Sequence, residues 1–71
     1  MTLREFIKHL AHKSLKIKLI CYDYSINCFI TLFNDTLGVL LNWVKYPMYM
    51  DFLVECVNPE DTNLLEVKIY G

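Results

Sequence analysis

The stretch Lys16-Ile17-Lys18-Leu19-Ile20-Cys21-Tyr22-Asp23-Tyr24-Ser25-Ile26-Asn27-Cys28-Phe29-Ile30-Thr31-Leu32-Phe33 decides how this chain is to be read. Residues 16–22 begin with alternation, turn apolar on both sides and are rich in β-formers, so they read as a strand. Asp23-Tyr24-Ser25 suits a tight turn. Over 26–33, Ile26, Cys28, Ile30 and Leu32 share one face, and Asn27, Phe29, Thr31 and Phe33 share the other. So short a connection makes the two strands an antiparallel hairpin.

Working outward, the N-terminal side carries a helix start. Thr2 with Glu5 three residues later forms a capping box, in which hydroxyl and carboxylate each satisfy an orphan backbone donor. Leu3, Phe6, Ile7 and Leu10 follow at helical spacing, with Glu5, Lys8, His9 and His12 opposite, and the helix is expected to end near Lys13. On the other side, Asn34-Asp35-Thr36 supplies cap residues. Leu37, Leu40, Leu41 and Val44 then repeat the i, i+3, i+4, i+7 spacing, predicting a short helix over 36–45 with those four side chains inward. A strand over 39–44 is the competing reading. Pro47 stops either element, and 46–51 reads as a loop. A strand is expected over 52–57, a turn over 58–63, and a final strand over 64–70 with Leu65, Val67 and Ile69 on one face and Glu66 and Lys68 on the other. The expected fold is α+β, a single domain over 1–71. An N-terminal helix and a short second helix pack on one face of a four-stranded, mostly antiparallel sheet, in the order α-β-β-α-β-β.

Composition narrows the function classes. The chain has 71 residues, 55% of them apolar, 14% aromatic and 21% charged, which excludes disorder. The longest uncharged run, 24–34, is too short to span a membrane and contains Asn27 and Thr31. Arg4, Glu5, Lys8, His9, His12 and Lys13 break up the N-terminus, so no secretory leader is expected and the chain is placed in the cytoplasm. A domain of about 60 residues buries only roughly 60% of the surface of its unfolded chain. Some of the apolar residues must therefore stay exposed as a partner or self-association surface, and a homo-oligomer is expected.

Little in the chain suggests catalysis or metal binding. Cys21, Cys28 and Cys56 give an odd count with no C-x-x-C, and they read as three buried thiols in a reducing compartment. His9 and His12 read as solvated, no Ser-His-Asp arrangement is identifiable, and two glycines cannot build a phosphate loop. Glu60-Asp61 reads as a solvated turn pair. The expectation is a non-enzyme with no cofactor and no metal.

Aromatic residues carry the site candidates. Val39 and Trp43 fall outside the inward helical stripe and Tyr46, Met48, Tyr49 and Met50 follow, a grouping of residue types enriched at interface hot spots. Val39, Trp43, Tyr46, Met48 and Tyr49 are accordingly the expected partner-binding residues, with closure of a core edge as the alternative. Phe29 and Phe33 on an open sheet face flanked by Lys16 and Lys18 would suit base stacking. The basic-aromatic consensus of RNA-binding sheets is absent and the net charge is −1, so nucleic acid ranks below protein as the expected partner. Five cations against Glu5 alone in residues 1–18 make one end mildly positive.

The opening Met1-Thr2-Leu3-Arg4-Glu5-Phe6-Ile7 and the closing Val54-Glu55-Cys56-Val57-Asn58-Pro59-Glu60-Asp61 with Leu65-Glu66-Val67-Lys68-Ile69 resemble small orphan proteins of phages and mobile elements of Gram-positive bacteria. In those, a short capped helix precedes a K-x-K-like strand, and the chain closes with a strand, P-E-D turn, strand hairpin. The group includes anti-CRISPR inhibitors, which bind a Cas effector or its complex. The resemblance covers the two ends and supplies no functional residues. It implies an interaction protein that sterically blocks a host defence complex. The alternative is a small nucleic-acid-binding or regulatory accessory protein.

Overall fold

A computed structural model describes residues 1–10 and 12–71. The elements run α1 (Leu3–Ile7), β1 (Lys16–Asp23), β2 (Cys28–Thr36), α2 (Leu37–Leu41), α3 (Tyr46–Tyr49), β3 (Leu53–Asp61) and β4 (Leu64–Tyr70). The four strands form one sheet in the order β2-β1-β4-β3. The outer pairings, β1 with β2 and β3 with β4, are the two antiparallel hairpins, and the central pair, β1 with β4, is parallel. The fold is α+β.

Register assigns the faces. Ile17, Leu19 and Cys21 of β1 lie beside Leu65, Val67 and Ile69 of β4 on the helix-covered face. Ile17, Leu19, Val67 and Ile69 are buried there with Leu3, Ile7, Phe33, Leu37 and Leu40. Lys18, Ile20 and Tyr22 lie beside Glu66, Lys68 and, at the strand end, Tyr70 on the opposite, open face. Lys18 reaches Glu66 at 3.8 Å across the central pair. The total accessible surface, 4693 Å², matches the roughly 4,600 Å² of a folded monomer of 8.4 kDa. Apolar residues that remain exposed therefore reflect composition and not loose packing.

Helix α1 has the expected capping box: the Glu5 amide donates to Thr2 Oγ1 at 3.2 Å and the Thr2 amide to Glu5 Oε1 at 3.0 Å. Two further orphan donors, the Leu3 and Arg4 amides, bond the carbonyls of Phe52 and Met50, and Arg4 pairs with Asp51. The helix ends at Ile7 and not near Lys13. The His9 and Leu10 amides bond three residues back, and the carbonyls of Lys13 and Leu15 are used instead to receive the Gly38 and Leu37 amides that open α2. His9 and His12 therefore do not share a helical face.

The expected helix over 36–45 also shortens, to Leu37–Leu41 with Thr36 as its cap, and the competing strand does not form. The segment expected as a loop holds α3, with Pro47 in its first turn, where a missing amide costs nothing. β3 extends through Pro59 and Glu60, which sit on an edge strand, and the turn shrinks to Thr62 and Asn63. No helix among the described residues is long and apolar enough to cross a membrane.

Two outcomes are expected from these local devices. A Cβ at Gly38 would meet Lys13 at an ordinary 3.6 Å, so Gly38→Ala should raise stability by about 0.5 kcal/mol in denaturant titration. A loss would show that the Lys13 contact is tighter. Glu5 and Asp23 titrate below the ordinary carboxylate range, Glu5 through hydrogen bonds from the Thr2 backbone and side chain, Asp23 through those from Ser25. Their stabilisation is present above the unfolded carboxylate pKa and is lost as pH falls through the depressed folded values. Thr2→Ala keeps the backbone donor to Glu5 but removes the hydroxyl, so it should reduce the Glu5 part of that acid limb and leave the Asp23 part, and an unchanged limb would contradict a contribution from the hydroxyl.

Candidate functional site

The segment 37–52 carries most of the residues expected to bind a partner, and its backbone decides which of them face outward. After α2, the Asn42 amide bonds Val39 O, the Trp43 amide bonds Leu40 O and the Tyr46 amide bonds Trp43 O, all three residues back; the Phe52 amide bonds Tyr49 O in the same way. Such bonding brings every third side chain into line. Leu37, Leu40, Trp43, Tyr46, Tyr49 and Phe52 form that row. Leu37 and Leu40 are buried, and the other four are half-buried against the core.

The row continues as an aromatic ladder. Phe33 and Trp43 have ring centroids 5.1 Å apart; Trp43 stacks on Tyr49 at 5.8 Å with an interplanar angle of 11°; Tyr49 meets Phe52 edge to face at 5.1 Å. Burial raises the Tyr46 phenol pKa, with the Arg4 charge opposing and that of Asp51 adding. Of the five expected partner residues, then, Trp43, Tyr46 and Tyr49 close the core edge, while Val39 and Met48 are exposed. The expected inward stripe is corrected as well. Leu41 and Val44 face solvent, Val44 being 87% exposed, because the tightened turns after Leu40 put Trp43 in the inward position. Val39, Leu41, Val44 and Met48 are the exposed large apolar side chains of the segment.

The open sheet face holds the second group. Phe29 lies there opposite Tyr22, with rings 5.2 Å apart and nearly perpendicular. Phe33 does not join it. The β1–β2 register jumps between Leu19↔Phe33 and Ile20↔Thr31, leaving Leu32 as an extra residue, so the strand changes face at that bulge and Phe33 enters the core. The expected pairing of Phe29 with Phe33 as a stacking platform is thereby overturned. Lys18 is tied to Glu66, Lys16 sits at the far end of β1, and Lys68 places its ammonium 4.8 Å from the centre of the Phe29 ring. Lys18 is paired with Glu66 and Glu55 lies on the same face, so its lysines do not form an unopposed run of cations for a polyanion.

Cys28 is exposed at the hairpin end and not buried as expected; Cys21 and Cys56 are half-buried, and burial, with the Asp23 charge, raises the Cys21 thiol pKa. Among the described residues no three His, Cys, Asp or Glu side chains gather closely enough to hold a metal ion. Compared with protein-family models, curated proteins and solved structures, the chain matches none.

The division of segment 37–52 is testable in two variants. Trp43→Ala should cost about 3 kcal/mol in unfolding free energy, because it opens the ladder between Phe33 and Tyr49. Val44→Ala should change stability by less than about 0.5 kcal/mol. Equal effects would contradict the inward and outward assignment.

Proposed function

We propose that this protein is a non-enzymatic protein–protein interaction module of a phage or mobile element, acting in the cytoplasm of a bacterial host cell. The observation that carries the reading is the set of exposed apolar side chains of 37–52, Val39, Leu41, Val44 and Met48, in a chain whose accessible surface is that of a folded monomer of its mass. Exposed apolar groups of this kind in a small domain mark surfaces completed by another protein. The partner is a protein and not a nucleic acid, since the net charge is −1 and Lys18 of the open sheet face is paired with Glu66. The resemblance of the chain ends to the phage and mobile-element group supports a more specific role, an inhibitor of the anti-CRISPR kind that occupies a surface a Cas effector complex needs. The same apolar surface supports association of the chain with itself.

Light scattering at micromolar concentration should show a dimer or larger species, and Val44→Asp combined with Met48→Asp should return it to monomer without loss of fold. A clean monomer that binds no hydrophobic dye would remove the basis of the reading. In cells carrying a plasmid-targeting CRISPR system, expression of the chain should restore plasmid survival, and the same double variant should abolish the effect. Unimpaired interference across Cas effector types would overturn the inhibitor role while leaving the association result standing.

A further inference from the structure

The open face of the sheet contains a cavity of about 290 Å³ lined by Tyr22, Tyr24, Tyr70 and Glu55. We propose that this cavity is a cation site that takes a methylated ammonium group, carried on a lysine side chain of a protein partner. Three aromatic walls and one carboxylate are the chemistry that such a group requires: ring faces attract the diffuse positive charge, and the carboxylate supplies the full countercharge. The Tyr22 and Tyr24 rings meet edge to face, with centroids 4.9 Å apart at 68°, and both line the cavity.

Local backbone devices build these walls. Tyr24 opens the turn that joins β1 to β2. The Asp23 carboxylate accepts from the Ser25 amide at 2.9 Å and hydroxyl at 2.6 Å, and Asn27 takes the left-handed conformation at φ 54°. Asparagine is among the few side chains that adopt it readily. Glu55 occupies the irregularity between Val54 and Cys56 in the β3–β4 register, the kind of bulge that re-aims a side chain beside a site.

The charges of the face leave the site free for a cation. Lys18 is held by Glu66, and the Lys68 ammonium lies over the neighbouring Phe29. Among the described residues Glu55 has no ion-pair partner within 4 Å. Lys68 also shows that a cation already rests against an aromatic ring of this face. An ordinary ammonium is strongly hydrated and gives up that water reluctantly. Methylation lowers that cost and presents apolar surface to the rings. The cavity is open, with Tyr24 80% exposed and Tyr70 46%. It can enclose the tip of a side chain but not the 70–90% of a free small ligand that a binding pocket commonly buries. The site lies on the face opposite the helices and does not depend on the outward surface of 37–52.

The test is an NMR titration of the isotope-labelled full chain, followed at the ring resonances of Tyr22, Tyr24 and Tyr70. The probes are a short peptide containing trimethyl-lysine, the same peptide with the neutral tert-butyl carbon analogue, and choline. The trimethyl-lysine peptide should give saturable shifts, with the neutral analogue about tenfold weaker or more. Glu55→Gln and Tyr24→Leu, both at exposed positions, should each weaken binding by about tenfold and leave the spectrum of the core unchanged. Equal binding of charged and neutral peptides, or no effect of either variant, would overturn the cation site. Tighter binding of choline than of the peptide would overturn its assignment to a side chain.

Discussion

Strand order imposes the constraint on which the rest of this structure depends. β2 ends at one edge of the sheet and β3 begins at the other, so residues 37–52 must cross the whole covered face. Three strand spacings of about 4.8 Å make that crossing roughly 14 Å. One uninterrupted helix over the same residues would run about 24 Å and overshoot, and Pro47 forbids it in any case. The chain instead makes two short helices joined by turns that bond three residues back. Those turns set the row of Leu37, Leu40, Trp43, Tyr46, Tyr49 and Phe52 against the sheet. The same crossing brings Met50 and Phe52 to α1, whose first amides bond their carbonyls. The N-terminus then pairs through Thr2 with Leu53, so one segment closes the core and anchors the chain start.

Much of this was legible in the sequence, because two local patterns are strong there. The alternation of 64–70 placed Leu65, Val67 and Ile69 toward the core, and the Thr2–Glu5 spacing placed the start of α1. Both hairpins followed from short connections between apolar runs. The central parallel pairing was not legible, since it joins the two hairpins and depends on the crossing between them. The bulge at Leu32 was equally hidden. A strict period of two puts Phe33 on the face of Phe29, and only the pairing with β1 shows the slip.

The inward row was readable but at the wrong period. Aromatic and apolar residues recur at every third position from Leu37 to Phe52, while the choice of a 3.6-residue period turned Leu41 and Val44 inward and Trp43 outward. Tertiary demand for a short crossing favoured the three-residue spacing. The candidate surface changed accordingly: Val39 and Met48 stayed in it, Trp43, Tyr46 and Tyr49 left it, and Leu41 and Val44 joined it. On the opposite face, Tyr22, Tyr24, Tyr70 and Glu55 come together from three strands and a turn, a grouping that no single stretch of sequence displays.

The arrangement of 37–52 is tested most directly by proton cross-relaxation from the indole of Trp43, the single tryptophan of the chain. In the folded protein its ring protons should show strong contacts to the rings of Phe33 and Tyr49, whose centroids lie 5.1 and 5.8 Å away. Absence of those contacts, with Val44 methyl groups found against Phe33 instead, would contradict the three-residue row, and with it the surface assigned to binding.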